Sequence, residues 1–193
     1  CIDGTKKYEE ETDDSYEWPA AKQAFNEAVI KDRFPEIKGI NAALLAQDIP
    51  VLLISVQKNR PHHVRELNES LFELPEMSGI KLVLYVEHTV DVGDLPSALW
   101  RFCNNLDPKR DSFVVNQPLP NGKKRGGMGM DGTLKTRILD NFERDWPNII
   151  VADDATIRKV DDKWAELGLG PFMASPSLKY KHQIYGEEAV VQQ

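Results

Sequence analysis

Three glycines in the stretch GMGMDGTLK (Gly127, Gly129 and Gly132) hold the spacing G-x-G-x-x-G. Directly after a strand, that spacing brings backbone amides against a dinucleotide pyrophosphate, and an acid about 20 residues on takes the ribose hydroxyls. Asp153 stands at such a distance. The tight strand-to-glycine turn is missing, however, because PNGKKRG separates the glycines from the nearest apolar run. A structural or substrate-side loop is the stronger reading. No Gly-Lys-Ser/Thr follows, so a P-loop is excluded.

His62, His63 and His88 follow two apolar runs, with Glu87 and Asp91 nearby. Imidazole and carboxylate together suit zinc, manganese or iron. Adjacent histidines diverge at a helix start, so ordinary polar helix-start residues are favoured over a metal site. Lys58 and Lys81 could each contact an anion, but solvated surface lysines are the simpler reading. Cys103 lies four residues after Leu99, on the expected buried stripe of a helix, and reads as core rather than nucleophile because no base stands beside it. There is no G-x-S-x-G elbow and no Ser-His-Asp ordering. The residues by themselves make no complete catalytic constellation.

The elements that would position these groups alternate. PVLLISVQ (50–57), IKLVLYVEH (80–88) and SFVVN (112–116) are apolar and read as strands. Val64, Leu67, Leu71 and Leu74 form one helical stripe, and Leu95, Leu99 and Phe102 another, with Asp94 as its cap. Two crossovers give an α/β fold, a mainly parallel sheet with helices on both faces. Before it, a helix carries Ala21, Phe25, Ala28 and Val29 on one face. After it, PLPNGKKRGGMGMDG reads as a long loop, Leu134, Ile138 and Phe142 as a helix, and NIIVA as a short strand. A last helix, capped by Asp153 or Asp154 and ended by Gly168, turns Ile157, Val160, Trp164 and Leu167 inward. Residues 1–18 form an acidic leader, 19–170 the domain, and 171–193 an extended C-terminal arm. The arm's apolar residues suit docking on another subunit.

The 193 residues suit one domain, and a net charge of −7 disfavours nucleic acid and anionic membrane as partners. Two cysteines, Cys1 and Cys103, argue against a disulfide scaffold and for a cytoplasmic setting. Cys1 in place of Met leaves two readings open: a processed lipoprotein, or part of a longer chain.

The second half carries a resemblance. KLVLYVEHTVDVGDLPSALWRFCNNLDPKRDSFVV followed by GGMGMDGTLK resembles the C-terminal domain of the UbiD-like decarboxylases, the 3-octaprenyl-4-hydroxybenzoate carboxy-lyase family. Val90, Asp91 and Asp94 match its Val-Asp-x-x-Asp-like stretch, Trp100 its helical Trp, and Asp107, Pro108, Arg110 and Asp111 its Asp-Pro-x-Arg-Asp turn. Met128 to Thr133 are similar to its Met-Gly-Leu-Asp-Ala-Thr loop. VLLISVQKNRPHHVREL is similar to its segment ending Tyr-Pro-Gly-His-Ala-Lys, with His62 where the family has Gly. The resemblance implies a lyase that decarboxylates aromatic or α,β-unsaturated acids, such as a quinone precursor. It implies prenylated FMN, a divalent metal such as manganese, and K⁺. It places catalytic, cofactor and metal residues in an N-terminal domain upstream of this chain, which itself holds no metal and no catalytic residue. The chain then serves as scaffold and oligomer contact in a homo-oligomer. Membrane association arises only peripherally, through a lipophilic substrate. The segment Asn116–Pro120 becomes a wall of the substrate pocket, with Asn116, Gln117, Leu119, Met128 and Met130 as its residues, and Lys81 a cofactor-side contact. Two alternatives stand beside it: a nucleotide-binding dehydrogenase module and a secreted lipoprotein binding domain.

Overall fold

The computed structural model describes residues 21–118 and 124–191. The expected first and second strands form as β2 (Val51–Val56) and β3 (Leu82–Glu87), paired in parallel from Val51↔Leu82 to Val56↔Glu87. Their β-branched, apolar runs are buried on both faces, as a central parallel pair requires. Leu52, Ile54, Val56, Val83 and Tyr85 point to one core and Leu53, Leu84 and Val86 to the other. Helix α3 (His63–Phe72) covers the first face with Val64, Leu67 and Leu71, and Leu74 just beyond the helix joins the same core. Helix α4 (Leu95–Asn105) covers the second with Ala98 and Phe102. A fully buried Leu, Ile or Val contributes about 1.5–3 kcal/mol, so these two cores stabilise the domain.

The third central strand is not the one expected. SFVVN becomes β4 (Ser112–Pro118), an antiparallel edge. The glycine-rich segment read as a loop supplies β5 (Lys124–Asp131), which lies between β3 and β4 and runs parallel to β3. The sheet order is β1-β2-β3-β5-β4, where β1 (Ile37–Asn41) is the other antiparallel edge. Glycines replace larger residues in β5 because α3 lies against it. A Cβ on Gly127 would enter the ring of Phe72, and one on Gly129 would enter Asn68 and Phe113. Glycine within a strand marks just such a close approach.

Several helices differ in extent or phase from the sequence reading. The first breaks into α1 (Ala21–Ala24) and α2 (Glu27–Arg33), because the Asn26 side chain accepts the Val29 N–H and caps a new start. The new start turns Ile30, not Val29, inward. In α4 the buried line is Ala98, Phe102 and Asn105, which leaves Leu99 and Cys103 exposed; Cys103 is therefore not core. Asn105 sets this phase by donating to Gly132 O at 3.1 Å. Short helix α5 (Pro108–Asp111) follows, capped by Asp107. The helix expected around Leu134, Ile138 and Phe142 shrinks to α6 (Arg137–Asp140), with Ile138 78 % exposed. NIIVA forms no strand; the neighbouring Trp146–Pro147 forms β6 instead.

Asp153 caps α7 (Asp154–Asp161), but α7 stops well before Gly168, and of the four residues expected inward only Ile157 is buried. The tail is not an extended arm leaving the domain. It forms 3₁₀ turns over Pro176–Gln183 and then β7 (Val190–Val191), paired antiparallel with β6. Asn148 anchors it, donating to Tyr185 O and Glu188 O and accepting the Tyr185 N–H. Tyr180 Oη meets Ser97 Oγ at 2.8 Å, and Lys179 Nζ meets Asp94 Oδ2 at 2.6 Å, holding the Asp94 carboxyl below its ordinary range. The leader 1–18 lies outside the described residues.

His62 begins α3 in a left-handed conformation (φ 60°, ψ 8°) and its side chain makes no capping hydrogen bond. A non-glycine residue there costs about 1–2 kcal/mol. Glycine relieves that strain but adds about 0.4–1 kcal/mol of unfolded-chain entropy. His62→Gly should therefore leave urea-unfolding stability within about 1 kcal/mol of wild type, tending to stabilise, while His62→Val should destabilise by about 1–2 kcal/mol. A loss above 2 kcal/mol in His62→Gly would show that the imidazole holds the helix start.

Candidate functional site

The carboxyl ends of β2 and β5 and the start of β4 meet at one edge of the sheet, where open α/β sheets take ligands. Seven charged side chains line a cleft of about 340 Å³ there, six of them ion-paired and the seventh, Arg65, lying over the Phe113 ring. Lys58, just past β2, is partly buried; its Nζ donates to both oxygens of Asp140 (2.9 and 2.8 Å) and to Leu134 O (2.8 Å). The sequence reading of Lys58 as a surface lysine is thus corrected by an ion pair 82 residues long in the chain. Lys135 is more deeply buried. It donates to Asp131 O at 2.8 Å and Thr133 O at 2.9 Å, and lies 3.2 Å from Asp131 Oδ1 and 3.7 Å from Asp111 Oδ1. Arg110 grips Asp111 with two bonds, 2.7 Å from Nε and 2.6 Å from Nη2. Asp111 also accepts the Asp107 N–H, and Asp131 accepts the Thr133 N–H and hydroxyl.

Burial lowers the Lys135 pKa, and the carboxylates of Asp131 and Asp111 only partly offset it. Arg110 moves the other way, raised by its hydrogen bonds to Asp111. Beneath the cluster Tyr85 is buried, and burial followed by the Asp131 charge drives its pKa well upward. Three cations (Lys58, Arg110, Lys135) face three carboxylates (Asp111, Asp131, Asp140). A buried ionic group in this state locks segments together; it is not poised to transfer a proton.

His63, on the same rim, is buried. Its Nδ1 accepts the Asn59 N–H at 3.3 Å, which assigns the proton to Nε2, 3.2 Å from Glu36 Oε1. Glu87 pairs instead with Arg101 at 2.9 Å on the other face of the sheet. The histidines and acids considered as metal ligands therefore disperse, and no group of three such side chains assembles among the described residues.

The residues expected to form a pocket wall do not converge on this cluster. Asn116 pairs with Gly126 near the opposite end of β4, and it lines a separate groove with Glu69, Phe72 and Arg125. Gln117 follows it in β4 opposite Arg125. Met128 pairs with Leu82, and Met130 packs into the core beneath α4. Lys81 precedes β3, at the amino end of the parallel strands. Leu119 lies outside the described residues. The cluster was missed because its ion pairs are long-range. Its one signal in the sequence was the charge-rich stretch MDGTLKTRILD directly after the glycines.

A flavin phosphate needs a cation free to meet it. The three ion-paired cations would have to re-pair to meet it, whereas Arg65, which lines the cleft and lies over the Phe113 ring at 5.0 Å, is matched by no carboxylate among the described residues. No helix among the described residues is long and apolar enough to cross a membrane.

This arrangement defines an open α/β domain with a closed ionic edge. The 3-octaprenyl-4-hydroxybenzoate carboxy-lyase C-terminal domain matches residues 15–131, more than half of the chain, and the chain belongs to that family. Curated relatives include uncharacterised proteins of Archaeoglobus fulgidus, 28 % identical over 72 % of this chain, and of Aeropyrum pernix, 26 % identical over 72 %. In both cases the match covers 30 % of the relative's own length. Among solved structures, the vanillic acid decarboxylase of Sedimentibacter hydroxybenzoicus in closed form aligns at 19 % identity over 77 % of this chain and 31 % of its own, with a TM-score of 0.54. Its open form aligns at 18 % over 72 % and 30 %, with a TM-score of 0.51. At these identities the likeness is one of fold.

Proposed function

We propose that the chain is the C-terminal part of a decarboxylase that uses prenylated FMN, a divalent metal and K⁺ on an aromatic or α,β-unsaturated carboxylic acid, with a quinone precursor as one such substrate. The family match over residues 15–131 carries this reading. The chain spans about 30 % of the length of its relatives, which leaves room for a cofactor-bearing domain elsewhere in the whole protein. Within it, this domain acts as scaffold, subunit contact and one wall of the active-site cleft. The neutralised cluster supports that role: Lys58, Lys135 and Arg110 tie the segments after β2, before β4 and after β5 into one rigid edge. The cofactor, when bound, supplies the electron sink for carbon dioxide loss; this chain contributes binding surface and exclusion of water. The dehydrogenase alternative loses its motif, because Gly127 and Gly129 are packing positions inside β5.

Residues 1–193 alone, given prenylated FMN and manganese, should release no detectable carbon dioxide from aromatic acids, whereas the whole protein should turn over. Turnover by the isolated chain would overturn the division of labour.

A further inference from the structure

A second cleft lies on the other face of the sheet, away from the ionic cluster. It is an open cavity of about 640 Å³ between α4, the turn that follows β3, and the returning tail. That volume is within the range of small-molecule sites. Part of its wall, Ile149, Ile150, Lys179, Tyr180, His182 and Gln183, lies beyond the family match, which ends at residue 131. Trp100 and Ile150 border it at 60 % and 88 % exposure, large apolar faces turned to an open cavity.

Gln183 supplies the second observation. It is only 6 % exposed, lines the cleft, and its side-chain amide hydrogen-bonds to no described residue. The wholly enclosed polar atoms without a hydrogen bond among the described residues are Asn68 Nδ2, Arg101 Nε and Glu87 Oε1, the last of which is ion-paired with Arg101 Nη2. The Gln183 amide is not among these enclosed atoms, and Gln183 is one of the residues lining the cleft. A buried amide with a donor and an acceptor both unused calls for a partner that offers the complement.

The charges around the cleft define that partner further. Lys179 is matched by Asp94, and Arg101 by Glu87. His182 Nε2 donates to Thr89 O. Asp91 accepts the Gly93 N–H and adds negative charge. An anion would face the carboxylates of Asp91 and Asp94, and a cation would have to displace Lys179 or Arg101; a neutral head group meets neither cost.

We infer that this cleft is a binding site for a small neutral molecule with a flat apolar body and a carboxamide-like head, its ring against Trp100 and Ile150 and its head on Gln183. The site is independent of the ionic edge and of the proposed carboxylate substrate.

Benzamide is the smallest probe with both features. Saturation-transfer NMR on the whole native protein should show saturable binding at a dissociation constant of about 1 mM, ordinary for a fragment of its size. The readout is the part of the signal lost in Trp100→Ala, so that binding at a separate active site does not contribute. Trp100→Ala and Gln183→Leu should each weaken that part at least tenfold. Trp100 is exposed, so its replacement leaves the fold intact and carries the test should Gln183→Leu misfold. Benzoate should show no Trp100-dependent signal. Absence of Trp100-dependent benzamide binding up to 20 mM (on the order of twentyfold above the expected constant) overturns the inference, whether another part of the protein covers the cleft or the cleft has no affinity. Equal Trp100-dependent binding of benzoate overturns it as well.

Discussion

Lys135→Met should destabilise the domain by about 3–5 kcal/mol at neutral pH, the size seen when one partner of a buried ionic group is removed. Methionine nearly matches the lysine in volume, so the packing change is small and the electrostatic change dominates. Four hydrogen-bonded or ionic contacts vanish together: those to Asp131 O, Thr133 O and the carboxylates of Asp131 and Asp111. Asp111 keeps its two bonds from Arg110, while Asp131 keeps only Thr133. The cluster then holds three carboxylates and two cations in a buried place. Equilibrium urea unfolding of both proteins gives the difference directly.

The pH dependence of that difference has a definite sign. Burial lowers the Lys135 pKa, so the folded protein releases this proton before the unfolded chain does, whose lysine titrates near 10.4. Between the two values the unfolded state binds more protons, and stability rises with pH. Below the folded value the lysine contributes no slope. Tyr85, raised by burial, works the other way above about pH 10, where the folded state keeps the proton that the unfolded chain gives up. Tyr85 is present in both proteins, so subtraction isolates Lys135. The penalty of Lys135→Met should therefore be flat below the folded Lys135 pKa and grow as pH rises from there toward 10. A penalty that shrinks on the alkaline side would mean that Asp131 and Asp111 outweigh desolvation.

What the sequence made legible follows from the range of the forces involved. β2, β3 and α3 were readable because their apolar residues repeat within a few positions, and Val64, Leu67 and Leu71 are buried where the 3.6-residue period puts them. The caps Asp94 and Asp153 were readable for the same local reason. β5 was not, since nothing within Gly126–Met130 favours a strand by propensity. Its glycines answer to Phe72 and Asn68, more than fifty positions earlier. α4 had the right period and the wrong phase, because Asn105 turns inward for Gly132 O. The candidate site suffered most. Lys58 with Asp140 and Lys135 with Asp111 are long-range pairs between hydrophilic residues, and hydrophilic residues are read as surface by default. The tail was misread for a related reason: its course is set by polar contacts with Asn148 and Ser97, far away in the sequence, while Phe172, Met173, Leu178 and Val190 remain exposed.

Gly129→Ala should cost about 3–5 kcal/mol, and its mechanism can be separated from simple crowding. A methyl group at Gly129 enters the space of Asn68 Oδ1 and comes within 2.6 Å of Asn68 Cγ and of Phe113 Cε2. Overpacking a core costs about 1–3 kcal/mol. Asn68 cannot give way freely, because its Oδ1 accepts the Tyr85 hydroxyl at 2.9 Å inside the core. Moving it leaves a buried donor and acceptor unmet, another 1–3 kcal/mol or so. Tyr85→Phe removes that hydrogen bond without adding bulk and should cost about 1–3 kcal/mol alone. Both changes act through Asn68, so the double variant should be less destabilised than the sum of the singles by about 1 kcal/mol or more. Gly126→Ala is the internal control: a Cβ there meets nothing within 4 Å, and the exposed position should tolerate alanine within about 0.5 kcal/mol. The four proteins, compared by urea unfolding, decide between two accounts of this glycine spacing. Strict additivity with Tyr85→Phe would show that Asn68 is not the element in the way. A Gly129→Ala variant as stable as Gly126→Ala would remove the packing explanation and return the glycines to consideration as a ligand loop.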